Sequence, residues 1–175
     1  EDYQNYEGCN EVLNVTRPDI IKSIHARYLE AGSEAIETNT FGANWANLAE
    51  YGIEDRIEEL AEAGARVARE IADEYSTDTK LRWVLGSTGP GTKLPSLGHA
   101  PYALLRDAYQ TQARGMLRGG VDAVLVETAQ DLLQAKAAIV GAKRAMKQFG
   151  QSAPILVSVT IETTGTMLLG SEIGA

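Results

Sequence analysis

Glu127 is the residue of this chain whose chemistry is hardest to account for as packing. It closes an apolar run, Val121-Asp122-Ala123-Val124-Leu125-Val126, and is followed by Thr128. An ionised carboxylate ending a buried strand costs free energy unless a cation or hydrogen-bond donors meet it. Two further apolar runs stop abruptly in polar residues, at Ile36-Glu37-Thr38-Asn39-Thr40 and at Ile155-Leu156-Val157-Ser158-Val159-Thr160. In parallel α/β proteins ligand-binding groups collect at the carboxyl ends of strands, so Glu127 is read as a ligand-binding residue. Thr38 and Asn39 bring a hydroxyl and an amide to a second strand end, where ligand contact and local turn capping are balanced readings. Two-residue alternation puts Ile36 and Thr38 on one face and Glu37 on the other. Glu37 reads as one half of a structural ion pair.

The other reactive side chains form no pattern of their own. Cys9, His25 and His99 are too few for a closed zinc site and lack ligand spacing. The two histidines read as structural or solvated, and Cys9 as a small apolar residue in a loop. Gly86-Ser87-Thr88-Gly89-Pro90-Gly91-Thr92-Lys93 is rich in glycine but fails the spacing of a phosphate-binding loop, and no Gly-x-Gly-x-x-Gly follows a strand.

The elements that must position these groups follow from periodicity. Thr16 is expected to cap, and Pro18 to open, a helix that carries Ile20, Ile21, Ile24, Tyr28 and Leu29 and ends at Gly32. Strands are predicted over 34–38, 81–87, 122–127 and from Pro154 to about Ile161. Helices fall between them: one resuming at Ile53 after a break near Gly52, one over 101–118, and one from about Asp131 to Phe149. Ile57, Leu60, Ala61, Gly64, Ala65, Val67, Ala68 and Ile71 form the buried stripe of the first of these. Residues 1–15 show no clear periodicity. Strict alternation of strands and amphipathic helices implies a parallel sheet with right-handed crossovers. The alternation leaves an open doubly wound sheet and a portion of a closed barrel both standing, since four strands cannot close an eight-stranded barrel.

Composition narrows the partners. With 16 basic and 24 acidic residues the net charge is −8, which argues against DNA, RNA or an anionic membrane as the main partner. A single cysteine excludes an internal disulfide and suits a reducing, cytoplasmic setting. No apolar stretch is long enough to span a bilayer. The chain begins at Glu1 rather than Met and stops soon after a strand-like run, so a portion of something longer is expected.

Five segments together carry a family resemblance: Glu7-Gly8-Cys9-Asn10-Glu11-Val12-Leu13-Asn14, Glu37-Thr38-Asn39-Thr40-Phe41, Gly86-Ser87-Thr88-Gly89-Pro90, Val126-Glu127-Thr128, and Thr163 to Ser171. In this order, over essentially the whole chain, they resemble the homocysteine-binding domain of cobalamin-dependent methionine synthases, a homocysteine S-methyltransferase domain. The resemblance implies part of a (β/α)8 TIM barrel, covering about strands 2–5 of eight and incomplete at both ends. It implies that Glu127 binds the amino group of homocysteine and that Thr38 and Asn39 belong to the same substrate shell. Gly89-Pro90 would shape the pocket. Cys9 matches none of the family's zinc-binding cysteines, which would lie beyond Ala175, so no metal ligand is assigned to this chain.

What the resemblance implies for mechanism is methyl transfer from methylcobalamin to zinc-activated homocysteine, giving methionine, with methyltetrahydrofolate recharging the cobalamin through other domains. A thiol of pKa about 8.5 is mostly protonated at neutral pH, and coordination to Zn²⁺ deprotonates it. This chain alone is expected to be inactive. The alternatives are a cobalamin-independent homocysteine methyltransferase of the betaine or S-methylmethionine type, and a non-catalytic half-barrel that associates through its edges.

Overall fold

The computed structural model describes residues 2–174. Four strands, β1 (Ala35–Glu37), β2 (Trp83–Thr88), β3 (Ala123–Ala129) and β4 (Ile155–Val159), form one parallel sheet in the order β1-β2-β3-β4. The helices are α1 (Leu13–Thr16), α2 (Pro18–Glu30), α3 (Trp45–Leu48), α4 (Ile57–Tyr75), α5 (Tyr102–Gly119) and α6 (Leu132–Phe149). Strand order never reverses, so right-handed crossovers put every connecting helix on the same side of the sheet. A doubly wound sheet needs a switch point, and none exists among the described strands.

Register fixes which side chains meet the helices. Ile36 pairs with Val84, Gly86 with Val124, and Thr88 with Val126, and these point to the helical layer. Ile36 and Val84 pack with Leu29 of α2 and with Ala68 and Ile71 of α4. Val124 and Val126 pack with Met116 of α5 and with Ala138 and Ala142 of α6. Each fully buried valine contributes about 1.5–3 kcal/mol of transfer free energy. The opposite face has no covering layer among the described residues, and Trp83 and Leu156 there are 47% and 42% exposed. In a barrel that face would be the interior.

Small residues let α5 lie close to α4. A Cβ on Gly119 would come within 2.7 Å of the Glu62 carbonyl oxygen, and one on Gly115 within 2.9 Å of the Glu62 nitrogen. At the amino end of the sheet, Asp122 accepts from the Val84 amide at 2.7 Å and from Arg69 at 2.9 Å. This clamp sits at the end opposite Glu127 and serves stability.

Two local expectations need correction. Thr16 does not cap α2: it closes α1, its hydroxyl donating to the Val12 carbonyl at 3.2 Å, and Arg17 takes the cap position with φ −141° and ψ 56°. Residues 10–16 form a 3-10 turn and a short helix, too brief to show a period. β4 ends at Val159 rather than Ile161, because its neighbour β3 ends at Ala129, whose carbonyl accepts the last bond from Thr160 at 2.9 Å.

Candidate functional site

The carboxyl ends of β1 and β2 are tied together by a short chain of hydrogen bonds. Ser87 N donates to Thr38 Oγ1 at 3.0 Å, Thr38 Oγ1 meets Thr40 Oγ1 at 2.5 Å, and Thr40 Oγ1 donates to the Ser87 carbonyl at 2.7 Å. Gln112, fully buried on α5, holds the Thr40 carbonyl at 2.8 Å. Each hydroxyl in this chain has one proton to give and an oxygen to accept with, and both are used. Asn39 is similarly engaged: its Nδ2 donates to the Asn10 carbonyl at 2.8 Å and to Asn14 Oδ1 at 2.9 Å.

This lattice leaves the Ser87 side chain to point the other way. Ser87 Oγ donates to Glu127 Oε1 at 2.6 Å. Ser87 and Glu127 lie on the uncovered face, as does Glu37 at the end of β1, and all three line a cleft of about 550 Å³ with Thr38, Asn39 and His25. No lysine, arginine or histidine lies within ion-pair distance of Glu37 or Glu127 among the described residues. The ion pair expected for Glu37 is therefore not formed. Desolvation first, and then the Glu127 charge, hold the Glu37 carboxyl above its ordinary range. His25 is buried on α2, its Nε2 lacks a partner, and burial lowers its pKa, so it is neutral at pH 7. The cleft thus carries negative charge without an internal counterion.

The backbone beneath Glu127 is irregular. Thr128 has φ of +56°, a left-handed conformation that costs a β-branched residue roughly 1–3 kcal/mol. Val126 pairs with Val157 and Ala129 with Val159, so three steps on β3 match two on β4, and one residue of β3 is extra. This is a β-bulge.

Of the sequence-predicted residues, Glu127, Thr38 and Asn39 come together around one cleft, Glu127 presenting an uncompensated carboxylate and the other two already holding the scaffold. The Gly89-Pro90 loop is pinned from below, the buried Tyr109 hydroxyl lying 3.3 Å from the Gly89 carbonyl and 3.0 Å from that of Pro90. Sequence reasoning missed Ser87 and His25. Alternation along β2 from Leu85 was the available signal for Ser87, and the stripe from Ile21 to Leu29, which passes through position 25 at helical spacing, was the signal for His25.

Among the described residues no three of His, Cys, Asp and Glu converge on a point. Cys9 lies in a different cleft, 2% exposed, its Sγ 3.6 Å from Glu11 Oε2, with its thiol pushed up to about 11 mainly by burial. His99 Nδ1 accepts from the Leu94 amide at 3.3 Å. These residues do not fit a zinc site.

The sequence model of the family described as homocysteine S-methyltransferase matches residues 1–175. The chain belongs to this family. It is 60% identical over its whole length to a protein named methionine synthase from Mycobacterium leprae (strain TN), and 59% identical to one of the same name from Mycobacterium tuberculosis (strain ATCC 25618 / H37Rv). It spans 14% and 15% of the lengths of those proteins. Among solved structures it is similar to the homocysteine methyltransferase MmuM from Escherichia coli. The metallated form superposes with a TM-score of 0.73 at 19% identity, covering 92% of this chain and 58% of that one. The apo form gives 0.68 over 96% and 59%. At that identity the match speaks for the fold, a parallel α/β arrangement shared with these barrel proteins.

Proposed function

We propose that this chain is the homocysteine-binding part of a methionine synthase, an enzyme that transfers a methyl group from methylcobalamin to homocysteine. The single observation that carries this reading from the structure is Glu127. It is a half-buried carboxylate at a strand end, oriented by Ser87 and facing an acidic cleft that holds no cation of its own. An α-ammonium group supplies the missing charge through a charge-assisted hydrogen bond, which positions the substrate rather than reacting with it. Thr38 and Asn39 would form the wall of the same pocket. Identity of 60% to proteins named methionine synthase supports the choice of this enzyme over betaine- or S-methylmethionine-type relatives.

In this reading the four βα units are the second to fifth of an eight-stranded barrel, and residues 1–175 are one incomplete domain. Zinc and cobalamin belong to the intact enzyme. Since the side chains here do not fit a zinc site, residues elsewhere in the protein would hold the metal, and no chemical step is assigned to it. Methylcobalamin and methyltetrahydrofolate would meet this domain through other domains, and the protein would work in the cytoplasm. No helix among the described residues is long and apolar enough to cross a membrane.

The test is an assay of the intact protein for methionine formation from homocysteine. The expected result is turnover with methyltetrahydrofolate that requires cobalamin. Turnover with betaine or S-methylmethionine in the absence of cobalamin would overturn the assignment, as would failure to use homocysteine with any donor.

A further inference from the structure

We infer that the bulge at Thr128 is the device that aims Glu127 at the substrate amine. The inference rests on the reading of Glu127 as the amine anchor and adds a positioning residue to it. Val126 pairs with Val157 and faces the helical layer; Ala129 pairs with Val159 and faces it too, being 2% exposed. Regular alternation allows one residue between two that share a face. β3 places two there, Glu127 and Thr128.

The extra residue can be accommodated only by a local change of backbone direction, and Thr128 takes it up with φ of +56°. Gln4 and Asn5, near the chain start, are the other described non-glycine residues with positive φ. Thr128 is therefore the strained position of the sheet, and the strain falls next to the carboxylate that the cleft leaves without a counterion. Packing alone does not require it. Removing one residue from the pair would restore the alternation of Val126, one inward residue and Ala129, with both flanking side chains still in the core. What the bulge changes is the direction in which the Glu127 side chain leaves the strand, and with it the hydrogen bond from Ser87 Oγ at 2.6 Å. An anchor misplaced by an ångström loses most of its effect on a bound substrate.

The experiment uses the intact enzyme, with deletion of Thr128 and Thr128→Gly, each made in the wild-type and in the Glu127→Gln background. Glycine adopts the left-handed conformation without penalty, so this variant keeps the experiment informative if the deletion does not fold. The expected result is that the deletion raises the KM for homocysteine at least tenfold, with a smaller change in kcat and no lowering of the thermal midpoint. Thr128→Gly raises KM a few-fold by loosening the aim. In the Glu127→Gln background neither change raises KM further. Equal increases in both backgrounds would mean that the bulge acts on the fold alone and would overturn the inference. So would an unchanged KM in the deletion variant while Glu127→Gln is impaired. An unchanged KM in Glu127→Gln itself would instead remove the anchor, and the aiming role with it.

Discussion

Two carboxylates near the same end of the sheet show how differently a protein can use one functional group. Glu11 lines a cleft of about 350 Å³ beside Cys9, Asn47 and Tyr51. Its Oε1 accepts the Gly42 amide at 2.7 Å, and its Oε2 faces the Cys9 thiol at 3.6 Å. Glu127 receives one hydrogen bond, from Ser87, and opens onto a larger cleft beside a second carboxylate, Glu37. Glu11 is consumed by the scaffold; Glu127 is held in orientation with capacity left over. Burial alone does not separate them, since Glu11, at 9% exposed, is the more buried. What separates them is how many donors each already has.

The comparison predicts opposite outcomes for the same mutation. Glu127→Ala in the intact enzyme should raise the KM for homocysteine by about a hundredfold, roughly 2.7 kcal/mol for a lost charge-assisted contact, while thermal stability hardly moves. Glu11→Ala should do the reverse. It leaves the Gly42 amide without its acceptor, costing about 1–3 kcal/mol of stability, measured by urea unfolding, and leaves KM nearly unchanged. A KM defect in Glu11→Ala as large as that of Glu127→Ala would erase the distinction.

A third prediction concerns the thiol beside Glu11. Cys9 is buried and its thiol is shifted up to about 11, so iodoacetamide at pH 8 should label it only as fast as the domain opens. Rapid stoichiometric labelling of folded protein would show that the Glu11 cleft is open and reactive.

The smallest effect concerns Glu37, the second carboxylate of the cleft. The Glu37 carboxyl is raised in the folded state, so between its unfolded and folded pKa the native protein binds more protons than the unfolded chain. Stability should therefore fall as pH rises through that window, and the loss is complete above the folded value. Glu37→Gln should remove this slope, leaving the variant slightly more stable than wild type at neutral pH and equal to it in acid. An ammonium ligand should shrink the difference by neutralising the repulsion. A Glu37→Gln variant less stable than wild type at pH 7 would contradict a carboxyl raised by desolvation and by the neighbouring Glu127 charge.

Much of this was legible in the chain itself. The apolar runs that stop at Glu37 and Glu127 located both carboxylates, and the helical stripe from Ile57 to Ile71 was buried as expected. Signals at Pro18 and Gly52 fell where the structure places helix ends. The features that escaped depend on contacts distant in sequence. Ser87 and Glu127 are 40 residues apart, and Thr38 and Asn39 became scaffold because Ser87 and Asn14 happen to face them. The absence of an ion pair at Glu37 depends on what three strands bring near it. Thr128 is the clearest case: nothing in its identity announces a left-handed backbone, since threonine disfavours it, and only the register between β3 and β4 reveals the extra residue.

The central claim is that Glu127 is reserved for a substrate ammonium. The most direct measurement is equilibrium binding of L-homocysteine and of 4-mercaptobutanoate, the same molecule without its amine, to the intact wild-type and Glu127→Gln proteins. The account predicts that wild type prefers homocysteine by about a hundredfold, the value of one charged anchor, and that Glu127→Gln binds the two nearly alike by losing affinity for homocysteine alone. A Glu127→Gln protein that keeps the full preference for the amine would contradict it.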